Sequence, residues 1–240
     1  MTYELYYWPG IPGRGEFVRL ALEEAGADYV DVAREGKAGG ADAVARLLDS
    51  ESVVTPPFAP PFLKDGDLII GQTANILLYL GGRLGLAPKA EASKLWTHQL
   101  QLTITDFVQE IHDVHHPIAG SLYYEDQKPA ANKRARDFRN GRLPKFLDYF
   151  EAVLARNPKG EAHLVGNRLT YPDLSLFHVV AGLRYAFPRA SSRVEQECPR
   201  VVALHDRVAA RPRIKAYLKS KRHQPFNEHG LFRHYPELDG

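Results

Sequence analysis

The stretch Pro60-Pro61-Phe62-Leu63-Lys64-Asp65-Gly66-Asp67-Leu68-Ile69-Ile70-Gly71-Gln72-Thr73 constrains the fold of this chain more than any other. Two prolines cannot sit inside a sheet ladder, so they must open a strand. Asp-Gly between apolar runs is a hairpin signal, and the apolar residues of 73–84 fall at helical spacing. The segment therefore reads as proline, strand, turn, strand, helix. It leaves a sheet edge at one end and free helix amides at the other. Together these features can hold a small peptide by its backbone and its carboxylate.

Upstream, residues 3–8 are aromatic and short, as in a strand, and Pro9-Gly10-Ile11-Pro12-Gly13 must break it. Residues 14–25 carry a helical apolar pattern that stops at Gly26, and 29–33 reads as a second strand. Strand, helix, strand makes a βαβ unit with parallel strands. A short helix at 41–48 and a proline-rich run at 55–61 complete an order of β-α-β-α-β-β-α over residues 1–85. Residues 86–91 form a linker. Beyond it the strand pattern disappears, and 93–116, 133–156, 173–185, 198–210 and 213–221 read as helices of a second domain, 92–240. Its tail, from residue 224 on, carries Phe226, Phe232 and Tyr235 and is expected to pack rather than hang free.

Composition narrows the partners. With 31 basic and 29 acidic side chains the formal charge is +2, so no large field draws in nucleic acid or a membrane. The basic run Lys219, Lys221, Arg222 reads as a solvated helix end. Cys198 is the single cysteine, which excludes an intramolecular disulfide and any CxxC site. The first residues lack the long apolar core of a signal peptide or membrane span, so the cytoplasm is the expected location.

Three motifs recur in the right order for one family: Pro61-x-Leu63-x-Asp65-Gly66 with Gln72-Thr73, then Leu169-Thr170-Tyr171-Pro172-Asp173, then Arg211-Pro212-Arg213-Ile214. The chain resembles the cytosolic glutathione transferases over nearly its whole length. The resemblance implies an α/β thioredoxin-like N-terminal domain followed by an all-α C-terminal domain. Tyr7-Trp8-Pro9 with Gly13-Arg14 is similar to the tyrosine-type mu, pi and sigma classes, here expected to be of a bacterial or fungal branch. The loop after Trp8 is one residue longer than theirs and has Pro12 where they usually carry Arg.

By that resemblance Tyr7 is the catalytic tyrosine, Arg14 supports it, and Trp8, Pro60, Pro61, Gln72 and Thr73 bind glutathione. Asp106 would reach across a homodimer to the γ-glutamyl amine. The chemistry is consistent: a thiol of pKa about 8.5 is mostly protonated at neutral pH, and lowering it by about two units requires roughly 2.7 kcal/mol of preferential anion stabilisation. A tyrosine hydroxyl donating to sulfur can supply this. Pro60 has no N–H where the family both donates and accepts, so weaker glutathione binding is expected. Gly10, Ile11, His115, His116, Tyr123 and Phe232 are the expected electrophile pocket, with a small hydrophobic electrophile as second substrate and detoxification as the role. Glutathione is the only cofactor expected, as co-substrate.

Alternatives remain. Tyr7 also fits plain strand packing, as Tyr6 does, and Thr73 fits a simple helix cap. A glutathione-dependent isomerase or dehalogenase, or a non-catalytic binder of glutathione or hydrophobes, would share the scaffold. His112, His115 and His116 have zinc-compatible spacing, but nothing completes a metal site and no metal is expected. Thr170-x-x-Asp173 is a capping box with a folding role.

Overall fold

The computed structural model describes residues 2–35 and 40–240; residues 36–39, ahead of the short helix expected at 41–48, lie outside it, as does Met1. Strand β1 (Tyr3–Tyr6) runs parallel to β2 (Tyr29–Asp31) and antiparallel to β3 (Phe62–Asp65), which turns through Gly66 into β4 (Leu68–Gly71). The sheet order is β2-β1-β3-β4. Alternation along β1 sorts the side chains: Leu5 pairs with Leu63 on the face against helix α1 (Gly15–Ala25), while Tyr6 stacks on Phe62 at 4.7 Å on the other face. Tyr6 is thus a packing residue, as expected.

Two strands end earlier than the sequence implies. β1 stops at Tyr6 because Tyr7 turns out of the ladder toward the following loop. β2 stops at Asp31, whose carboxylate is drawn 2.7 Å from the buried Arg19 Nε, and the chain coils at once into α2 (Val32–Glu35), followed by α3 (Gly40–Leu48). Helix α4 (Thr73–Leu84) closes the N-terminal domain at Gly85, which takes φ +72°.

The remainder is helical: α5 (Glu91–His115), α6 (Lys128–Asp137), α7 (Leu143–Ala155), α8 (Tyr171–Ala186), α9 (Pro188–Glu195), α10 (Pro199–Ala210), α11 (Pro212–Leu218) and α12 (Pro236–Asp239). The single helix expected at 133–156 is broken by a wide turn at Phe138–Arg142. Pro144 has no N–H to offer the carbonyl four residues back, so the Leu143 amide reaches the Phe138 carbonyl instead. Helix α9 has too little apolar periodicity to read in advance; its first amides, of Arg189 and Ala190, donate to Asp239 at the chain's end.

The Arg211-Pro212-Arg213 motif clamps the domains. Arg211 Nε donates to Glu24 Oε1 at 2.8 Å, Arg213 donates to the Glu24 carbonyl at 3.0 Å, and Tyr217 donates to the buried Glu16 at 2.8 Å. Among the described residues no helix is long and apolar enough to cross a membrane.

His178 on α8 is buried against Phe17, Phe226 and Phe232 and bonds the Gly13 backbone. Burial pushes its pKa down to about 3, and that of buried His115 to about 2. The unfolded chain therefore takes up their protons first as pH falls below about 6.5, and stability, full above that value, declines by up to about 1.4 kcal/mol per pH unit for each. Buried Glu16 and Asp173, whose pKa values burial raises, act in the opposite sense. Comparing urea unfolding of the parent and His178→Phe between pH 7 and about pH 5 isolates one imidazole: the variant is expected to lose stability less steeply.

Candidate active site

The register places the site. Tyr6, Phe62 and Gly71 are paired in a row across β1, β3 and β4, so Tyr7, Pro61 and Gln72 follow one step beyond, at one end of the sheet. With strands about 4.8 Å apart, that row spans roughly 10 Å, the scale of a short peptide.

Tyr7 is 6% exposed. Its ring is held by two glycines: a Cβ on Gly13, which has φ +45°, would fall 2.1 Å from the Tyr7 hydroxyl oxygen, and one on Gly15 would fall 2.6 Å from the ring. The hydroxyl accepts the Arg14 backbone N–H at 2.9 Å, which leaves its own proton free to donate elsewhere. Burial raises its pKa, against the opposing pull of the Arg14 amide and the Arg14 and Arg19 charges. The hydroxyl therefore stays protonated at neutral pH and is polarised as a donor. The Arg14 guanidinium is turned to Gln109 Oε1 at 2.9 Å, so the contact to Tyr7 is made by the Arg14 backbone.

Pro60-Pro61 is a cis peptide at the entry of β3. Gln72 adopts φ +68°, the only non-glycine residue with positive φ among those described, and Thr73 is the first residue of α4 rather than its cap. The α4 N-terminus has no side-chain cap and no acid in its first turn, and Thr73 Oγ1 is buried without a hydrogen-bond partner in the protein. This arrangement suits an anion.

The loop after β1 is pinned by the C-terminal tail, with Asn227 Nδ2 donating to the Gly10 carbonyl at 2.8 Å and Gln224 facing Ile11 and Gly10. Trp8 is exposed on this loop, and Asp106 and Tyr123 are exposed on the helical domain. Two expected pocket residues belong instead to the core. Phe232 is 1% exposed and packs on Gly182, while buried His115 bonds the Leu231 carbonyl at 3.0 Å. The tail folds back over α5 and α8, a long-range path that hides both. His116 is half-buried and bonds the Leu122 carbonyl at 3.1 Å. Among the described residues no group of three or more His, Cys, Asp or Glu is placed to hold a metal ion. Cys198 is buried beside Asp148 and its thiol is pushed up to about 12, unfit as a nucleophile.

Sequence reasoning missed Arg19. Fully buried, it ties Asp31 and Glu16 to the Pro12 carbonyl and so fixes the loop that carries Gly13. An arginine amid the apolar face of α1 was the available signal.

A mixed sheet carrying this row, packed on a helical domain, defines the glutathione transferase fold. The "Glutathione S-transferase, C-terminal domain" family matches residues 112–221. The chain is 28% identical over 235 residues to "Glutathione S-transferase P" of Bos taurus, covering 95% of this chain and 98% of that one. It is 25% identical over 223 residues to "Glutathione S-transferase" of Plasmodium falciparum, covering 91% and 95%. The solved pi-class glutathione S-transferase of Onchocerca volvulus superposes with a TM-score of 0.70 at 21% identity, covering 91% and 93%. The chain is thus similar to glutathione S-transferases over nearly its whole length, and its residues 112–221 match their C-terminal domain. These relatives come from animals and a parasite and lend no support to a bacterial or fungal branch.

Proposed function

We propose that the protein is a tyrosine-type glutathione transferase, acting in the cytoplasm on a small hydrophobic electrophile. The observation that carries this reading is the free proton of the Tyr7 hydroxyl, which is held at the sheet end beside Pro61 and Gln72 while its oxygen accepts the Arg14 amide. In the mechanism Tyr7 donates to the glutathione sulfur, the thiol proton leaves to solvent, and the thiolate lone pair forms a C–S bond as a leaving group departs or a π bond opens. The γ-glutamyl carboxylate would sit on the Thr73 amide and hydroxyl beside Gln72, and the cysteinyl backbone along Pro60-Pro61. Pro60 offers its carbonyl only. Trp8, Gly10, Ile11, His116 and Tyr123 border the side from which the electrophile enters. Assay against a panel of electrophiles tests the proposal: glutathione retained in the product supports transfer, and its recovery unchanged with altered substrate would mark an isomerase.

A homodimer is part of the proposal. Phe58, on the proline-rich loop before β3, is 95% exposed, and elsewhere a cavity of about 820 Å³ is lined by Trp96, Tyr149, Val153, Leu164 and Val165. A projecting apolar group and an apolar socket elsewhere on the chain can match when a second copy is related by a two-fold axis. Leu95, Leu102 and Asp106 share an exposed stripe of α5, so the same contact would bring Asp106 to the partner. Phe58→Ser is expected to move the protein from dimer to monomer in sedimentation velocity; a parent that sediments as a monomer contradicts both the dimer and the role of Asp106.

A further inference from the structure

The loop between β1 and α1 has little of its own to hold it. Pro9 and Pro12 have no N–H, and among the described residues no other backbone group bonds the backbone of Gly10 or Ile11. Two carboxamides from the far end of the chain meet these groups instead. Asn227 Nδ2 donates to the Gly10 carbonyl at 2.8 Å, across 217 residues of sequence. Gln224, in the amide orientation that satisfies both its ends, donates to the Ile11 carbonyl at 2.6 Å and accepts the Gly10 N–H at 2.9 Å.

The carboxamides are themselves fixed. Asn227 Oδ1 accepts the His229 N–H at 3.0 Å, and the Asn227 carbonyl accepts the Gly230 N–H at 3.3 Å, a turn that leaves Nδ2 for the loop. Gln224 Oε1 also accepts from Arg34 Nε at 3.2 Å, and Arg34 donates in turn to the carbonyls of Lys221 and Arg222. Between the two carboxamides Phe226 enters the helical domain, stacked on His178 at 5.5 Å and on Tyr185 at 5.4 Å. His178 is the side chain that bonds the Gly13 backbone. The tail therefore grips the loop at Gly10 and Ile11 while packing on the residue that holds its other end.

Stability and geometry part here. Gly10 is exposed and Ile11 half-buried, so water can replace either carboxamide at little cost to folding. Water does not fix position. With the grip lost, the fraction of molecules that hold Gly10 and Ile11 in place falls, and a substrate that meets that wall binds more weakly by the same factor. Resting on the glutathione reading above, we propose that Gln224 and Asn227 are positioning residues for the electrophile. They set the wall it meets, and the tail selects the electrophile through the loop, while glutathione on the row of Tyr7, Pro61 and Gln72 is held independently of them.

Steady-state kinetics on the full chain carrying both Gln224→Ala and Asn227→Ala tests this, with chlorodinitrobenzene or whichever member of the electrophile panel the parent turns over fastest. KM for the electrophile is expected to rise about fivefold or more, with kcat and the KM for glutathione within about twofold of the parent. Asn227→Asp separates aim from fold. It keeps an acceptor for the His229 N–H but has no proton for the Gly10 carbonyl, so it is expected to raise the electrophile KM as Asn227→Ala does. It also supplies the readout if the double variant does not fold. Hydrogen exchange reads the loop without activity: the Gly10 amide is expected to lose its protection in Gln224→Ala. A parental electrophile KM in the double variant, an equal rise in both KM values, an Asn227→Asp that behaves as the parent, or Gly10 exchange unchanged by Gln224→Ala overturns the proposal. A parent that conjugates glutathione to no member of the panel overturns the glutathione reading itself, which separates the two failures.

Discussion

Replacing Tyr7 by Phe is expected to lower kcat/KM for conjugation by about a hundredfold to a thousandfold, the usual loss when one preorganised donor to a developing or resident anion is removed. The substitution deletes the hydroxyl alone. The Phe ring fits the same gap between Gly13 and Gly15, so the loop has no reason to move. The Arg14 amide loses its acceptor, which costs stability on the order of 1 kcal/mol. That is too little to unfold the domain. The affinity for glutathione, which the proposal assigns to the α4 amides and the sheet edge, is expected to change by no more than a few-fold. Steady-state kinetics with glutathione varied at fixed electrophile checks this: loss of kcat with KM little changed supports Tyr7 as the donor to sulfur, whereas a pure rise in KM contradicts it.

The second large effect falls on folding. Asp173→Ala is expected to destabilise the protein by about 3 kcal/mol or more, since three donors each lose a buried acceptor at a cost of roughly 1–3 kcal/mol. Asp173 is fully buried; its Oδ1 accepts the Leu164 amide at 2.8 Å, and its Oδ2 accepts both the Thr170 amide and hydroxyl at 2.7 Å. The side chain thus starts α8 and also ties down the loop that precedes it. Helix α8 is the central helix of its domain and packs on α1 as well as α5 and α10, so its loss would reach the N-terminal domain. Urea unfolding monitored by circular dichroism measures the shift. The fraction that folds is expected to bind glutathione normally, because Asp173 touches no residue of the Tyr7, Pro61, Gln72 row. A variant as stable as the parent would show that the box does not anchor α8.

What could be read from the sequence was local. The hairpin follows from Asp65-Gly66 between apolar runs, the start of β3 from two prolines that no ladder accepts, and the capping box from a four-residue spacing. Tyr7 was legible only through the class resemblance, because the feature that distinguishes it from Tyr6 is the return of Gly13, Arg14 and Gly15 around its ring. Phe232 and His115 were misplaced because the tail's path over α5 and α8 is set by contacts fifty or more residues apart in the chain. The break at 138–142 and helix α9 escaped because a single missing N–H at Pro144 and two amides bonded to Asp239 decide them, and neither leaves an apolar period.

The central claim is that Tyr7 holds glutathione as a thiolate. Its most direct test is the ultraviolet thiolate absorbance of glutathione bound to the protein, followed against pH beside Tyr7→Phe. The account predicts that the bound thiol titrates about two units below its solution value of roughly 8.5 and that the variant loses most of that shift. A bound thiol that titrates as it does free in solution would contradict it.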